Sequence, residues 1–384
     1  MKKLIKSVFA IITLVLILIV TLFIVWWFQP KQKINIYILD KTVTKKDRPE
    51  HKAFVWLLNQ ANYVGPDGKS YSAKRDYWGF FPIDLANQIF DFKAIRINEV
   101  DVYSSVYDVA YYTDCYGVYS FEWYKNISQP IHSSKVFGGL NQNDYLLLKN
   151  MKEQGKLIIG EYNMFSTPTN ALIRSKTEVL FNLMWTGWSG RVFLNLDPSL
   201  PNGPAEWMTK LYELQHLKPW PQQSQGIVLV SNDGLIDVLE LGESLKSLMP
   251  KIDVTQEGNK KFKLPSQTNY PGWFEFVVPS VSAVVHANFN LDLTELGLEK
   301  LSKIGLNSQF PAVVQAQENE PTFYFAGDFA ENPVISATSK MAAGKLLNRI
   351  LLKKTDRTVF FNTFYSPLVD NILEDYYKKM NSKK

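Results

Sequence analysis

The chain opens with an unbroken run of apolar residues, longer than any later one. The run extends from Val8 to Phe28 and follows the basic start Met1–Lys6. At about 1.5 Å per residue it can cross the roughly 30 Å hydrocarbon core of a bilayer as one helix. This pattern predicts a membrane anchor over residues 1–30. The alternative is a cleaved secretory signal, but the run leads into Gln29-Pro30 without the small-x-small cleavage site that such a signal needs.

The lysines around the anchor predict its orientation. Lys2, Lys3 and Lys6 precede the apolar run, whereas Lys31 and Lys33 follow it. Because positive flanks tend to remain in the cytoplasm, we expect a single-pass membrane protein with a cytoplasmic N-terminus and an extracytoplasmic main domain. Further basic residues between 41 and 48 weigh against this orientation.

Beyond the anchor, strand-like and helix-like segments alternate, which is typical of a layered α/β fold with a mostly parallel sheet. Short apolar runs predict strands over 34–40, 108–114 and 156–160. Apolar residues at helical spacing predict helices over 51–60, 145–154, 169–184 and 365–380.

Additional β elements are expected in the C-terminal half. The runs 226–230 and 235–239 flank Ser231-Asn232-Asp233-Gly234, a hairpin signal. The runs 311–316 and 322–328 are predicted to pair. We therefore divide the chain into the anchor 1–30, an α/β core 31–222, and an α+β portion 223–384 that completes the core or packs on it.

Composition excludes several classes of site. The single cysteine, Cys115, rules out an intramolecular disulfide or a metal site with several cysteines, and the four histidines lack zinc-binding spacing, so we predict no metal. The net charge of +5 is modest and does not indicate a nucleic-acid partner. Glycine-rich nucleotide motifs are absent, so we predict no cofactor. The triplet Asn126-Ile127-Ser128 matches a glycosylation acceptor.

Candidate chemistry lies at the predicted strand ends, where ligands bind in open α/β sheets. Asp114 ends one strand and Tyr116 lies two residues further on, while Glu161 directly follows another strand and Asn163 lies two residues after it. Two carboxylates at one edge can bind a polar ligand or act as an acid and a base. The alternative is that these carboxylates bond local backbone N–H groups. An open pocket would favour the first interpretation, and burial the second.

The phrase Trp185-Thr186-Gly187-Trp188-Ser189-Gly190-Arg191 predicts a shaped loop after a helix. Arg191 can clamp a carboxylate or phosphate, and the faces of Trp185 and Trp188 can stack on a ring. The alternative is a structural corner in which Arg191 pairs with Asp197 or with the carbonyls of a helix end. The ten tryptophans likewise indicate either a large aromatic core or, in part, a stacking surface for sugars.

The order of these elements resembles the class I glutamine amidotransferase-like superfamily. The features that carry the resemblance are Gly138-Gly139 after a strand, a capped helix that stops at Gly155, the strand 156–160 with its sharp turn, and the late phrase Tyr324–Asp328. It covers roughly 34–165 and 310–330 and implies a flavodoxin-like or amidotransferase-like layered sheet. Active members carry a cysteine nucleophile in the turn after the strand that here ends at Gly160. This chain has Glu161-Tyr162-Asn163 there, so the resemblance implies no amidotransferase activity.

Two functions follow from these observations. The first is a membrane-anchored extracytoplasmic domain that binds a ligand or partner without catalysis, such as a carbohydrate or a protein of the cell envelope. Its site residues would be Asp114, Tyr116, Glu161, Asn163, Trp185, Trp188 and Arg191. The alternative is a carboxylate-dependent hydrolase that acts on envelope carbohydrate through Glu161 and Asp114.

Overall fold

The computed structural model describes residues 1–124 and 133–382. The glycosylation acceptor predicted at Asn126 lies outside these residues. The helices described are α1 (Lys2–Trp27), α2 (Pro49–Gln60), α3 (Val100–Val106), α4 (Ser120–Trp123), α5 (Gln142–Glu153), α6 (Ala171–Phe181), α7 (Glu206–His216), α8 (Gln256–Phe262), α9 (Glu295–Lys303), α10 (Gly344–Leu351), α11 (Asp356–Phe360) and α12 (Ser366–Ser382).

The strands described are β1 (Gln32–Lys33), β2 (Ile36–Asp40), β3 (Tyr63–Val64), β4 (Trp78–Asp84), β5 (Ile89–Lys93), β6 (Val109–Asp114), β7 (Val118–Tyr119), β8 (Lys135–Phe137), β9 (Leu157–Glu161), β10 (Leu183–Phe193), β11 (Gly226–Ser231), β12 (Ile236–Glu240), β13 (Lys251–Val254), β14 (Gln267–Asn269), β15 (Trp273–Pro279), β16 (Val284–Asn290), β17 (Gln309–Gln315) and β18 (Thr322–Phe325). Two 3₁₀ segments, Ile97–Glu99 and Ser336–Lys340, complete the regular structure together with the π-helical turn Phe361–Tyr365 between α11 and α12.

The N-terminal helix α1 is a candidate membrane span. Within the described residues, the segment Lys3–Trp27 is the one helix long and apolar enough to cross a bilayer. Its most apolar part, an 18-residue stretch, is not buried against the rest of the chain. A signal sequence near an N-terminus has the same properties. The helix is joined to the domain at its C-terminal end, where the Trp26 indole is buried and donates a hydrogen bond of 2.9 Å to the carbonyl of Asn59.

The main domain is built on a ten-stranded sheet with the order β14-β13-β16-β17-β18-β9-β6-β2-β4-β5. The five adjacent strands β18, β9, β6, β2 and β4 are parallel, whereas the other neighbouring pairs are antiparallel. The sheet is therefore mixed, and the prediction of a mostly parallel sheet is wrong outside its centre. The mixed sheet arises because antiparallel strands flank the parallel block on both sides, most of them paired with the preceding or following strand of the chain.

The parallel centre forms because its strands can be buried on both faces. Every residue of β2 and β9 is buried, and so are the first five residues of β6. Such strands are continuous apolar runs rather than alternating ones, which is the pattern that predicted them. The helix between β8 and β9 is also confirmed: Asn141 caps α5, the Asp144 carboxylate bonds back to the Asn141 N–H at 2.8 Å, and Gly155 follows the helix with φ of +66°.

A second sheet has the order β12-β11-β10-β15. The predicted hairpin is confirmed, since β11 and β12 pair antiparallel across the turn at Asn232–Gly234. The loop predicted over the Trp-Gly phrase is wrong, because residues 183–193 form strand β10. A bulge between Trp185 and Ser189, with Gly187 at φ of +89°, interrupts the regular alternation. Each of the two sheets contains strands from both sides of residue 222, the predicted boundary between the core and the C-terminal portion: β10 pairs with β11, and β9 pairs with β18.

Candidate functional site

The carboxyl ends of the parallel strands bring several ionisable side chains to one edge of the large sheet. Asp40 ends β2 and Asp114 ends β6, and their Cα atoms are register partners. Tyr162 follows β9, and Asp328 follows β18. The loop after β18 adds Glu331, α11 adds Arg357, and the second sheet adds Arg191 and Trp273. We call Asp114, Tyr162, Arg191, Trp273, Asp328, Glu331 and Arg357 the strand-end cluster.

Asp114 is half-buried and firmly positioned. Its Oδ1 accepts hydrogen bonds of 2.8 Å from the Thr42 hydroxyl and from the backbone N–H of Tyr116. Burial, together with the negative charges of Asp40 and, to a lesser degree, Glu331, raises the pKa of Asp114 to about 7. At neutral pH this carboxyl therefore exists in both protonation states and can donate as well as accept a hydrogen bond.

Glu331 belongs to an ionic group with Arg357 and Asp328. The Arg357 guanidinium lies 3.4 Å from Asp328 Oδ2 and 3.5 Å from Glu331 Oε2. Burial and the Asp328 charge raise the pKa of Glu331 to about 7, although Arg357 opposes this shift. The Glu331 side chain keeps 44% exposure, so its carboxyl is accessible to a ligand.

Arg191 is half-buried and lies between two aromatic rings. Its guanidinium carbon is 4.9 Å from the ring centroid of Phe193 and 5.5 Å from that of Trp273. The Trp273 ring also stacks on Tyr162, with centroids 5.8 Å apart and planes 19° apart. Burial lowers the pKa of Arg191, and Glu331 is the strongest opposing charge. Within the part of the chain that the structure describes, the guanidinium has no ion-pair or hydrogen-bond partner.

Glu161, predicted as a ligand-binding carboxylate, is fully buried in the core. Its Oε1 accepts a hydrogen bond from the Tyr111 hydroxyl, and its Oε2 accepts one of 3.1 Å from the Ala330 N–H. The Tyr111 hydroxyl is also 3.0 Å from that of Tyr365. Burial raises the pKa of Glu161 well above its usual range. Glu161 thus fastens β9 to β6 and to the loop after β18, and it is absent from the exposed part of the edge.

The other predicted site residues are divided between the edge and the core. Tyr116 is half-buried beside Asp114. Asn163 adopts a left-handed conformation, φ of +69°, and its N–H donates to the buried carboxylate of Glu275 at 3.1 Å. Trp185 and Trp188 are 6% and 8% exposed and belong to the main core, and the Trp185 indole donates to the Trp188 carbonyl at 3.0 Å. Their ring faces are covered by protein.

The aromatic surface at the edge is instead formed by Trp273, which the sequence analysis did not single out. Arg357 and Glu331 were missed as well, because no local motif surrounds them. Asp328 belongs to the segment Tyr324–Asp328, which carried part of the family resemblance. This segment was the only indication in the sequence that residues near the C-terminus contribute to the site. The proposed pairing of Arg191 with Asp197 is not formed, since Asp197 bonds Ser199.

Asp40, like Glu161, is a buried carboxylate that contacts other residues of the core rather than solvent. Asp40 is fully buried, and its Oδ2 lies 2.5 Å from His51 Nδ1. The other ring nitrogen of His51 is 2.8 Å from the Ala73 carbonyl. Glu50 lies next to this pair, and burial and the Asp40 charge raise its pKa well above its usual range.

Cys115 is also part of the core. It is fully buried, and burial raises the pKa of its thiol well above the usual range. A thiol in this state is a poor nucleophile. The Gly138-Gly139 turn beside it lines a cavity of about 610 Å³, where the Lys41 ammonium is held by Asp144 at 2.6 Å. In the described residues, no group of three or more His, Cys, Asp or Glu side chains is arranged to hold a metal ion.

No protein-family model matches the chain, and no curated protein matches it in sequence. Among solved structures, the chain is similar to a ThuA-like protein from Bacteroides uniformis, with a TM-score of 0.36 and 10% sequence identity. The match covers 89% of this chain and 97% of that chain. This similarity is too distant to transfer a function.

Proposed function

We propose that this chain is a membrane-anchored extracytoplasmic domain that binds an anionic, hydroxyl-rich ligand at the strand-end cluster. An acidic glycan of the cell envelope has this chemistry. The observation that carries the proposal is the state of Arg191: its guanidinium is held between two rings, yet none of its hydrogen-bond donors is engaged by a described residue.

A guanidinium in this state is suited to an anionic group. Arginine presents a rigid fork of N–H donors that matches a carboxylate or phosphate bidentately. Because Phe193 and Trp273 already restrict the side chain of Arg191, binding costs less conformational entropy than it would for a free arginine. The same residue in a purely structural role would direct its donors to carbonyls or to a carboxylate of the protein.

The rest of the cluster is suited to hydroxyl groups and to a ring. Trp273 is half-buried beside Arg191, and an aromatic face of this kind contributes about 0.5–1.5 kcal/mol when another ring stacks on it. Asp114 and Glu331, with pKa values of about 7, can each accept from or donate to a hydroxyl at neutral pH. This stacking role replaces the one predicted for Trp185 and Trp188.

We also propose that the central sheet is a divergent amidotransferase-like sheet. The parallel order β18-β9-β6-β2 and the sharp turn after β9 at Asn163 support this proposal. The nucleophile position in that turn is occupied by Glu161-Tyr162-Asn163, so the proposed fold carries no thioester chemistry.

A second candidate function is a carboxylate-dependent hydrolase. The observation that favours it is the pair of carboxyls with pKa values of about 7, which is the range of a general acid or base. The pair would be Asp114 and Glu331 rather than Asp114 and Glu161, because Glu161 is enclosed in the core.

The two functions are separated by one experiment on the full chain in detergent micelles. Tryptophan fluorescence is titrated with a tetrasaccharide that carries uronic acid carboxylates and with its neutral counterpart, and the acidic sample is analysed for cleavage. Because the chain has ten tryptophans, Trp273→Phe is titrated in parallel to identify the Trp273 part of the signal. Binding of the acidic sugar alone, without cleavage, supports the first function. Cleavage that is lost in both Asp114→Asn and Glu331→Gln supports the second. Equal, weak responses to both sugars would contradict both.

A further inference from the structure

The helix α10 combines an exposed apolar face with exposed basic residues. Leu346, Ile350 and Leu351 are 58%, 65% and 61% exposed. The opposite face, with Gly344 and Asn348, is buried against the domain, and the Asn348 Oδ1 accepts a hydrogen bond of 2.8 Å from the Ile335 N–H. Three large aliphatic side chains on one turn-and-a-half of an exposed helix need a partner that is itself apolar.

The position of α10 relative to the anchor identifies this partner. The Ala342 N–H, two residues before α10, donates a hydrogen bond of 3.0 Å to the carbonyl of Leu22 in α1. Leu22 lies five residues before the end of α1 at Trp27, which corresponds to about 7.5 Å along the helix axis. Interfacial amphipathic helices lie about 5–10 Å deep at the boundary between headgroups and acyl chains. The start of α10 is therefore attached to the anchor at that depth.

Tryptophans mark the same level. Trp27 ends α1 and is 55% exposed, at the place where aromatic residues collect at a membrane interface, while the neighbouring Trp26 is buried against the domain. The Lys340 ammonium lies 5.9 Å from the Trp26 ring, and the Lys31 ammonium lies 5.2 Å from the Trp27 ring. The polar end of the anchor, the segment before α10 and these cations thus share one face of the domain.

This face is strongly basic. A cavity of about 760 Å³ next to Trp27 is lined by Lys31, Lys46, Lys52, Lys74 and Lys340, with Asp47 as an opposing charge. These five lysines form no ion pair with another described residue. Arg349, Lys353 and Lys354 add exposed charge on α10 and just after it, again without an ion-pair partner in the described ranges. Clustered cations beside a membrane helix attract anionic headgroups.

We infer that α10 lies in the membrane interface, with Leu346, Ile350 and Leu351 among the acyl chains and the neighbouring lysine-lined cavity on anionic phospholipid headgroups. We assign the bilayer as the partner of this apolar face because the anchor holds α10 at the membrane surface. The apolar side chains match the acyl chains, and the neighbouring cations match anionic headgroups. The inference rests on the membrane position of α1 that the proposed function assumes. It fixes how the domain sits on the bilayer: a second contact restrains it from rotating freely about the anchor.

The test uses the full chain in vesicles of phosphatidylcholine and phosphatidylglycerol. An environment-sensitive fluorophore is attached to Ile350→Cys, and quenching by bromine-labelled lipids is compared with quenching by aqueous iodide. Leu214→Cys on α7 is the matched control, since Leu214 is 66% exposed. Ile12→Cys reports insertion of α1. The native Cys115 is buried and does not compete for the label.

We expect the label at 350 to be quenched by lipid at least threefold more than the label at 214, and to be protected from iodide. Arg349→Glu with Lys353→Glu should reduce lipid quenching at 350 in anionic vesicles to the level in pure phosphatidylcholine. If the label at 12 is quenched by lipid while the label at 350 behaves like the one at 214, the inference is overturned and the proposed anchor stands. If the label at 12 is also unquenched, both the anchor and the inference are wrong.

Discussion

The Arg191 guanidinium carbon lies 5.5 Å from the centre of the Trp273 indole ring. The two residues are far apart in the sequence but lie on neighbouring antiparallel strands. Their Cα atoms are register partners in the pairing of β10 with β15. The charged group and the aromatic group that are most suited to a ligand are therefore placed by the second sheet, whereas the carboxyls that they face are placed by the first.

The raised pKa of Asp114 predicts how the stability of the fold depends on pH. The native pKa of about 7 is above the ordinary value of 3.8, so ionisation of Asp114 is less favourable in the folded chain than in the unfolded one. Its contribution to stability is present below about pH 4 and is lost as the pH rises through 7. Asp114→Asn should therefore reduce the fall in unfolding free energy between pH 4.5 and 7.5, with an upper limit of about 3 kcal/mol.

Thermal unfolding of the micelle-solubilised chain at these two pH values measures this effect. Asp84→Asn is the matched control, because hydrogen bonds from Asn87 and from the backbone lower the pKa of Asp84, which places its titration below the range measured. A wild-type pH dependence in Asp114→Asn would mean that the Asp114 pKa is unperturbed.

The contacts of Glu161 predict that it supports the fold and not the ligand. Tyr111→Phe removes the hydroxyl that donates to its buried carboxyl and should lower the unfolding free energy by about 1–3 kcal/mol. Glu161→Gln keeps the size and an acceptor oxygen and should be tolerated better than Glu161→Ala, which leaves the Ala330 N–H without its partner. Ligand affinity per folded molecule should not change in any of the three. An affinity loss in well-folded Glu161→Gln would return Glu161 to the site.

The surroundings of Cys115 predict a chain without glutaminase activity. The cysteine is fully buried, and the turn after β9 has no thiol. Ammonia release from glutamine should equal that of an enzyme-free blank. A thiol reagent should modify Cys115 only after unfolding. Ammonia release that disappears in Cys115→Ser would contradict this account.

The lysines at the N-terminus predict that the domain is outside the cytoplasm. Protease added to intact cells stripped of their outer layers should remove the domain and leave the anchor in the membrane. The control is a cytoplasmic protein of the same cells, which must survive. Loss of the domain only after the membrane is permeabilised would mean that the basic residues between 41 and 48 decide the orientation.

The sequence predicted elements whose signals are local. α5 carries a capping side chain at Asn141 and a stop at Gly155, so its bounds followed from neighbouring residues alone. The five-residue apolar run of β9 and the hairpin between β11 and β12 are local in the same sense. Strand β10 was missed because the bulge around Gly187 breaks the alternation that marks a strand.

The parts of the site that the sequence did not predict depend on long-range pairing. Trp273 reaches Arg191 only through the pairing of β15 with β10, and Arg357 reaches Asp328 only because α11 packs near the end of β18. Asp114 and Glu161 both end strands, and nothing in the sequence distinguishes the half-buried carboxyl from the fully buried one. That distinction arises from Tyr111 and the loop that contains Ala330.

The most direct test of the proposed function is calorimetric titration of the acidic tetrasaccharide into the full chain and into two arginine variants. Arg191→Ala removes the cation of the strand-end cluster. Arg174→Ala removes another half-buried arginine that lies over an aromatic ring, 5.8 Å from the ring centroid of Trp185. Both variants should lower the melting temperature by only a few degrees, because the cation–π contacts of a half-buried arginine contribute about 0.5–2 kcal/mol. The account predicts that Arg191→Ala weakens binding at least tenfold while Arg174→Ala binds like the wild type, and equal affinities in all three proteins would contradict it.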